Sequence, residues 1–167
     1  NQYYVKKEDD DKNVYLVSSS SIEPFMGTLY DFAESGTFPS VTSATITDVK
    51  VDKENSYELT QDADNLFWNV SDGKTTEKAD TTKAGTVTSA IGSLAYDKFV
   101  DYNCTDDSKY GFDDPYAVIT VKYTEDEQET QTVEKTLTIY VGDEAGDDRY
   151  VKVDDSKEVY TITKDSL

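Results

Sequence analysis

The stretch Arg149-Tyr-Val-Lys-Val-Asp-Asp-Ser-Lys-Glu-Val-Tyr-Thr-Ile-Thr-Lys-Asp-Ser-Leu167 closes the chain, and Tyr3-Tyr-Val-Lys-Lys-Glu-Asp-Asp-Asp-Lys-Asn-Val-Tyr-Leu-Val-Ser-Ser-Ser-Ser-Ile22 opens it on the same pattern. Tyr4-Val5-Lys6 falls on Tyr150-Val151-Lys152, and Lys12, Val14 and Tyr15 fall on Lys157, Val159 and Tyr160. The alignment needs one extra residue in the opening copy, in an acidic turn where hairpins tolerate insertion. Ser21-Ile22 continues the match over Ser166-Leu167. The repeat divides the chain into 1–35, the closing hairpin and helix of a preceding repeat, and 36–167, a complete α+β repeat module, which are expected to pack together as one compact unit. The helix of a next repeat would begin where Leu167 stops. The pattern therefore predicts a native protein that continues past Leu167 or was trimmed there, working as a rod or tandem of modules.

From the opening hairpin outward, Ser20 with Glu23 reads as a capping box, and Ile22, Phe25, Met26, Leu29 and Phe32 recur at helical spacing. This predicts a first helix with a core-facing stripe, a ligand groove being the lesser alternative for its Met and aromatics, with Ser35-Gly-Thr-Phe-Pro39 ending it. Ala44 and Ile46 alternate on one parity and Val49 and Val51 on the other, so a strand here carries a bulge near Thr47-Asp48. Tyr57, Leu59 and Gln61, then Leu66, Trp68 and Val70, continue an antiparallel meander, with Trp68 on the buried parity and not a sugar platform. Asp80 or Thr81 caps a second helix to about Ala95, with Val87, Ile91 and Leu94 on one side. Ala117 to Tyr123 and Leu137 to Val141 alternate as strands joined by a long acidic tip over 124–134. The fold class is α+β: antiparallel hairpins and meander with two main helices, built from a partial and a complete repeat.

Composition narrows the chemistry. A chain of 167 residues buries roughly 70% of its extended surface, and 13 Tyr, 6 Phe and one Trp supply aromatics that disordered acidic chains lack. The 35 acidic against 16 basic residues give a net charge of −19, which repels nucleic acid and anionic lipid surfaces. No run approaches a membrane span, and the chain reads as a mature or trimmed soluble piece. Scarce cysteine, abundant Asp, Thr, Tyr and Lys, and a repeat suit an exported bacterial protein, although composition alone permits a cytoplasmic one. Without His there is no zinc cluster or His-based triad, and Cys104 alone forms no internal disulfide. Cys104 also lacks a basic neighbour, so it reads as a small buried group.

The acidic pairs Asp106-Asp107 and Asp113-Asp114 are the nearest thing to a glycosidase couple, but adjacency is expected by chance in so acidic a chain. A calcium loop starting at Asp106 places Gly111 correctly and then fails, with Ser108 and Tyr110 at ligand positions and Ala117 where the final Glu belongs. Gly111 and Pro115 read as backbone devices. No catalytic, cofactor-binding or metal-ligating residue is assigned, and no cofactor is expected. Tyr4, Tyr15, Tyr150 and Tyr160 are duplicated with their hairpins, which ties them to the fold more than to ligand stacking. The net charge predicts a fold that gains stability as salt screens self-repulsion.

The run formed by the Ala79-Asp80 helix start, Tyr110-Gly-Phe-Asp-Asp-Pro115, Val141-Gly-Asp143, Arg149-Tyr-Val151 and Val159-Tyr160 resembles a bacterial domain-of-unknown-function family. Its members are exported or membrane-anchored proteins, often encoded beside ABC transporters of the gliding-motility type. The likeness spans most of 45–167, with Phe112 where the family usually carries Leu. It implies a repeated α+β extracytoplasmic module, anchored in the membrane or associated with the cell envelope, with a protein partner in a membrane complex and an accessory role to a transporter. It carries over no catalytic residues. The expected function is a noncatalytic interaction or scaffold module; the rival is a surface carbohydrate-binding or adhesive module, with a sugar ligand.

Overall fold

The computed structural model describes residues 1–34, 36–64, 66–128 and 131–167. The chain divides into two compact units, Asn1–Ser35 and Gly36–Leu167. In the first, β1 (Gln2–Val5) and β2 (Tyr15–Ser18) form a two-stranded antiparallel sheet, followed by α1 (Ser19–Ile22), a 3-10 turn (Glu23–Phe25) and α2 (Leu29–Phe32).

The single amphipathic helix expected over this stretch is absent. The helix starts at Ser19, so Pro24 lies beyond its first turn, where a missing N–H and a bulky ring end the hydrogen-bond ladder. Helix resumes only after Gly27, and the capping box is Thr28 with Asp31, whose carboxylate accepts the Thr28 N–H at 2.6 Å. Phe25, Met26, Leu29 and Phe32 are all exposed, Phe25 to 82%, so the stripe faces no core.

The second unit is built on a nine-stranded antiparallel sheet. Its strands are β3 (Ile46–Asp52), β4 (Tyr57–Gln61), β5 (Trp68–Ser71), β6 (Thr76–Lys78), β7 (Lys98–Asp101), β8 (Ala117–Gln128), β9 (Gln131–Ala145), β10 (Asp148–Val153) and β11 (Val159–Thr163), in spatial order β6-β5-β4-β3-β8-β9-β10-β11-β7. The β3–β8 register shifts between Ile46 and Asp48, which is the bulge that the parity change implies. Leu66 is not part of β5; it sits in a turn with φ of 56° and is exposed. The strands β8 and β9 extend well into the stretch expected to be a solvated tip, and residues 129 and 130 at its end lie outside the described residues.

One helix of three turns, α3 (Thr81–Gly92), lies against the sheet through Ala84, Thr88 and Ile91. Asp80 caps it, its carboxylate accepting from the N–H groups of Thr82 and Lys83 at 2.9 and 3.1 Å. It stops at Gly92, short of Ala95, where a Cβ would come 3.1 Å from the Val41 carbonyl oxygen. Val49, Val121, Ile139, Val151 and Ile162 form the centre of the core on the helix side, and Trp68 is buried with them. A smaller cluster of Cys104, Tyr110, Phe112 and Val159 is also buried.

The two hairpins share one register. Val5 pairs Tyr15, Tyr4 pairs Leu16, Tyr3 pairs Val17 and Gln2 pairs Ser18; Val151 pairs Tyr160, Tyr150 pairs Thr161, Arg149 pairs Ile162 and Asp148 pairs Thr163. Only the connection differs, 6–14 against 152–159, one residue longer in the first. A helical turn follows each second strand, α1 in one and Lys164–Ser166 in the other. Burial diverges because β10 and β11 are flanked by β9 and β7.

Candidate functional site

Three of the stretches that carry the family likeness, around Tyr110-Gly111, Gly142-Asp143 and Arg149, meet in one joint, whereas Asp80 caps α3 and Tyr160 packs in the main core. The 3-10 turn Asp107–Tyr110 ends in Gly111 at φ of 76°, a left-handed conformation that glycine adopts without penalty. A Cβ at Gly111 would lie 2.6 Å from Cγ of Asp143, and one at Gly142 would lie 2.1 Å from the carbonyl oxygen of Tyr110. The two glycines thus let the Tyr110-Gly111 and Gly142-Asp143 backbones cross at contact distance. Arg149 fastens the joint: it donates to the Gly142 carbonyl at 3.0 Å, pairs with Glu144 at 3.0 Å and lies 3.7 Å from the centre of the Tyr116 ring. Tyr110 donates its hydroxyl to Asp101 at 2.8 Å. The Asn103 N–H, with Tyr110 and Lys109, holds the Asp101 carboxyl below the ordinary carboxylate range. These motifs are a packing device.

The acidic pairs have structural tasks. Asp106 caps the 3-10 turn, accepting from the Ser108 N–H at 3.1 Å, and Asp107 pairs with Lys152 at 2.6 Å. Asp113 and Asp114 are exposed, and Pro115 behind them leads into β8. Cys104 is buried, its thiol donating to the Asp106 carbonyl at 3.3 Å. Among the described residues no three His, Cys, Asp or Glu side chains converge as metal ligands.

The duplicated tyrosines part company. Tyr160 stacks on Tyr96 at 3.7 Å and on Phe99 at 5.0 Å, donates to Glu158 at 2.8 Å and accepts from the Gly36 N–H at 3.1 Å. Burial pushes the Tyr96 phenol up to about 12, so it stays neutral. Tyr150 packs edge-on to Tyr110 at 4.9 Å. Their counterparts Tyr4 and Tyr15 are exposed.

Two features remain that suit binding. Among the described residues, ten of the fourteen exposed large apolar side chains belong to the first unit, in which none is buried. The second is a groove of about 320 Å³ on the core face of the sheet, beside the C-terminal half of α3. Val51, Ile119 and Val141 form its floor, Val87, Ile91 and Leu94 one wall, and Leu167 contributes to its lining. Its charged lining residues are Lys53, Arg149 and Lys164, with no Asp or Glu, in a chain that has more than twice as many acids as bases. Lys164 and Arg149 both reach Glu144 and hold its carboxyl below the ordinary range, Lys164 most. Sequence reasoning missed this groove because its lining comes from scattered stretches; the alternation along β3, β8 and β9 marks its floor but not where α3 stops covering it.

No curated protein and no solved structure matches the chain. A family described as a domain of unknown function matches twice, over residues 1–115 and 68–166, and the double, overlapping match agrees with the internal repeat. The chain belongs to that family, Domain of unknown function (DUF4340).

Proposed function

We propose that the chain is a noncatalytic interaction or scaffold module whose partners are proteins. The observation that supports this most is the first unit's surface: Tyr3, Tyr4, Leu16, Phe25, Met26 and Leu29 are exposed in a segment with no buried residue. Apolar area at that density is costly in water and marks surfaces that become covered by a partner. The likeness to exported, transporter-linked proteins adds a finer reading: the module works outside the cytoplasm, anchored in or associated with the cell envelope, as an accessory of an ABC transporter. No described helix is long and apolar enough to cross a membrane, so this segment offers no helical span of its own.

The experiment is photocrosslinking in the native host from a probe placed at Phe25, with fractionation of the products. Adducts to envelope or transporter proteins are expected. Absence of protein adducts, together with binding on a glycan array, would replace this reading with the carbohydrate-binding one.

A further inference from the structure

We propose that the groove beside α3 takes the 23–34 segment of a second copy of this chain, which joins copies head to tail. This deepens the interaction-module reading and rests on it. Three observations converge. The segment Glu23-Pro-Phe-Met-Gly-Thr-Leu-Tyr-Asp-Phe-Ala-Glu34 presents Phe25, Met26, Leu29 and Phe32 to solvent, a cluster of apolar anchors of the kind that a partner surface covers. A cavity of about 320 Å³ is at the low end of the roughly 300–1,000 Å³ range of ligand pockets, room for a few anchors and not for a domain.

Charge is the second. The segment carries three acids, Glu23, Asp31 and Glu34, and no base, whereas the groove is lined by Lys53, Arg149 and Lys164, of which Arg149 and Lys164 share the single carboxylate of Glu144 beside it, so the site keeps an excess of positive charge. Two surfaces of one acidic protein that differ so sharply in sign select each other and reject the rest of the surface.

The repeat is the third. The shared hairpin register sets Ile22 on Leu167, and Leu167 lines the groove. Segment 23–34 thus directly follows the residue whose counterpart lines the groove. A contact between two different surfaces is heterologous, and it assembles copies into rings or open chains.

The test is sedimentation velocity on the full chain across a concentration series, with two charge-reversed variants. Wild type should associate reversibly as its concentration rises. Lys53→Glu with Lys164→Glu, and separately Glu23→Lys with Glu34→Lys, should each weaken self-association about tenfold or more. Mixing the two variants should restore it, since each then offers the other a complementary surface. If a charge variant does not fold, Phe25→Gln with Leu29→Gln, at exposed positions, should abolish association on its own. A wild type that stays monomeric, association that survives both variants, or a mixture that fails to recover overturns the proposal. So does a monomer whose groove binds 1-anilinonaphthalene-8-sulfonate, which would make the occupant a small apolar anion. Photocrosslinks to another protein without self-association would sink this inference and leave the interaction module standing.

Discussion

A Cβ on Gly142 would lie 2.1 Å from the carbonyl oxygen of Tyr110, closer than any non-bonded carbon and oxygen can approach. The obstacle is backbone from a turn that Phe112 and Tyr110 anchor in a buried cluster, so it cannot swing aside. Gly142→Ala is expected to destabilise the fold by about 1–3 kcal/mol, as overpacking against rigid structure does. Gly85, inside α3, has nothing within 4 Å of its would-be Cβ. There Gly85→Ala should stabilise by about 1 kcal/mol through helix propensity and a less flexible unfolded chain. Urea denaturation of the pair checks both signs, and a neutral Gly142→Ala would show that the joint is slack.

Tyr15 and Tyr160 hold equivalent places in hairpins of one register, yet Tyr160 is 2% exposed and Tyr15 49%. Tyr160→Ala removes a ring stacked on Tyr96 and should cost about 3–5 kcal/mol. Tyr15→Ala should cost less than about 1 kcal/mol, the scale of exposed substitutions. Equal costs would mean that Tyr15 is covered in solution, and thermal melts at several protein concentrations would then show whether a second copy covers it.

That contrast also marks what the sequence made legible. The hairpin register and the Ile46–Asp48 bulge could be read because period-2 alternation reports directly which side chains share a face. The stretch from Ser20 to Phe32 is not one helix, because Pro24 breaks the hydrogen-bond ladder whatever the apolar spacing, and Gly27 adds a propensity cost of about 1 kcal/mol. The strands β6 and β7 escaped notice for a different reason. Thr76-Glu-Lys78 is a short charged edge with no apolar signal, and the pairing of Lys98–Asp101 with β11 is non-local. The joint of Gly111 with Gly142 was half legible: Gly111 reads as a backbone device, but Gly142 carries no sign of the close approach that its place inside β9 demands. The groove was not legible at all, since its lining joins β3, β8 and β9 with α3 and the chain's last residues, which only the tertiary fold brings together.

Asp148 is nearly buried, and its carboxylate receives Lys98 at 2.8 Å and the Thr161 hydroxyl at 3.4 Å. The Lys98 hydrogen bond holds its carboxyl below the ordinary carboxylate range. A folded-state pKa below the unfolded value of about 3.9 gives stability that is present above that value and lost as pH falls through the folded pKa. Asp148→Asn should therefore be less stable than wild type at pH 7, and the gap should close as pH drops below about 4. Comparing the two chains at each pH cancels the shared effect of titrating the other carboxylates. A gap that is constant from pH 7 to pH 3 would mean that Asp148 matters for its shape and not its charge.

Salt should act on this protein in two opposite directions. At a net charge of −19 the folded chain repels itself, and raising ionic strength from about 0.01 to 0.15 M shortens the screening length from roughly 30 to 8 Å. Thermal stability of the monomer should rise over that interval, because charges crowded by folding gain more from screening than those of the expanded chain. The head-to-tail contact should respond in the other sense, since it pairs the acids of segment 23–34 with the cations of the groove and screening weakens that attraction. Melting temperature at low protein concentration and sedimentation at high concentration, measured over the same salt series, separate the two. If stability falls with salt, specific ion pairs such as Lys98 with Asp148 outweigh the general repulsion. If association strengthens with salt, the acids of segment 23–34 are not paired with the groove cations, and the head-to-tail contact is overturned.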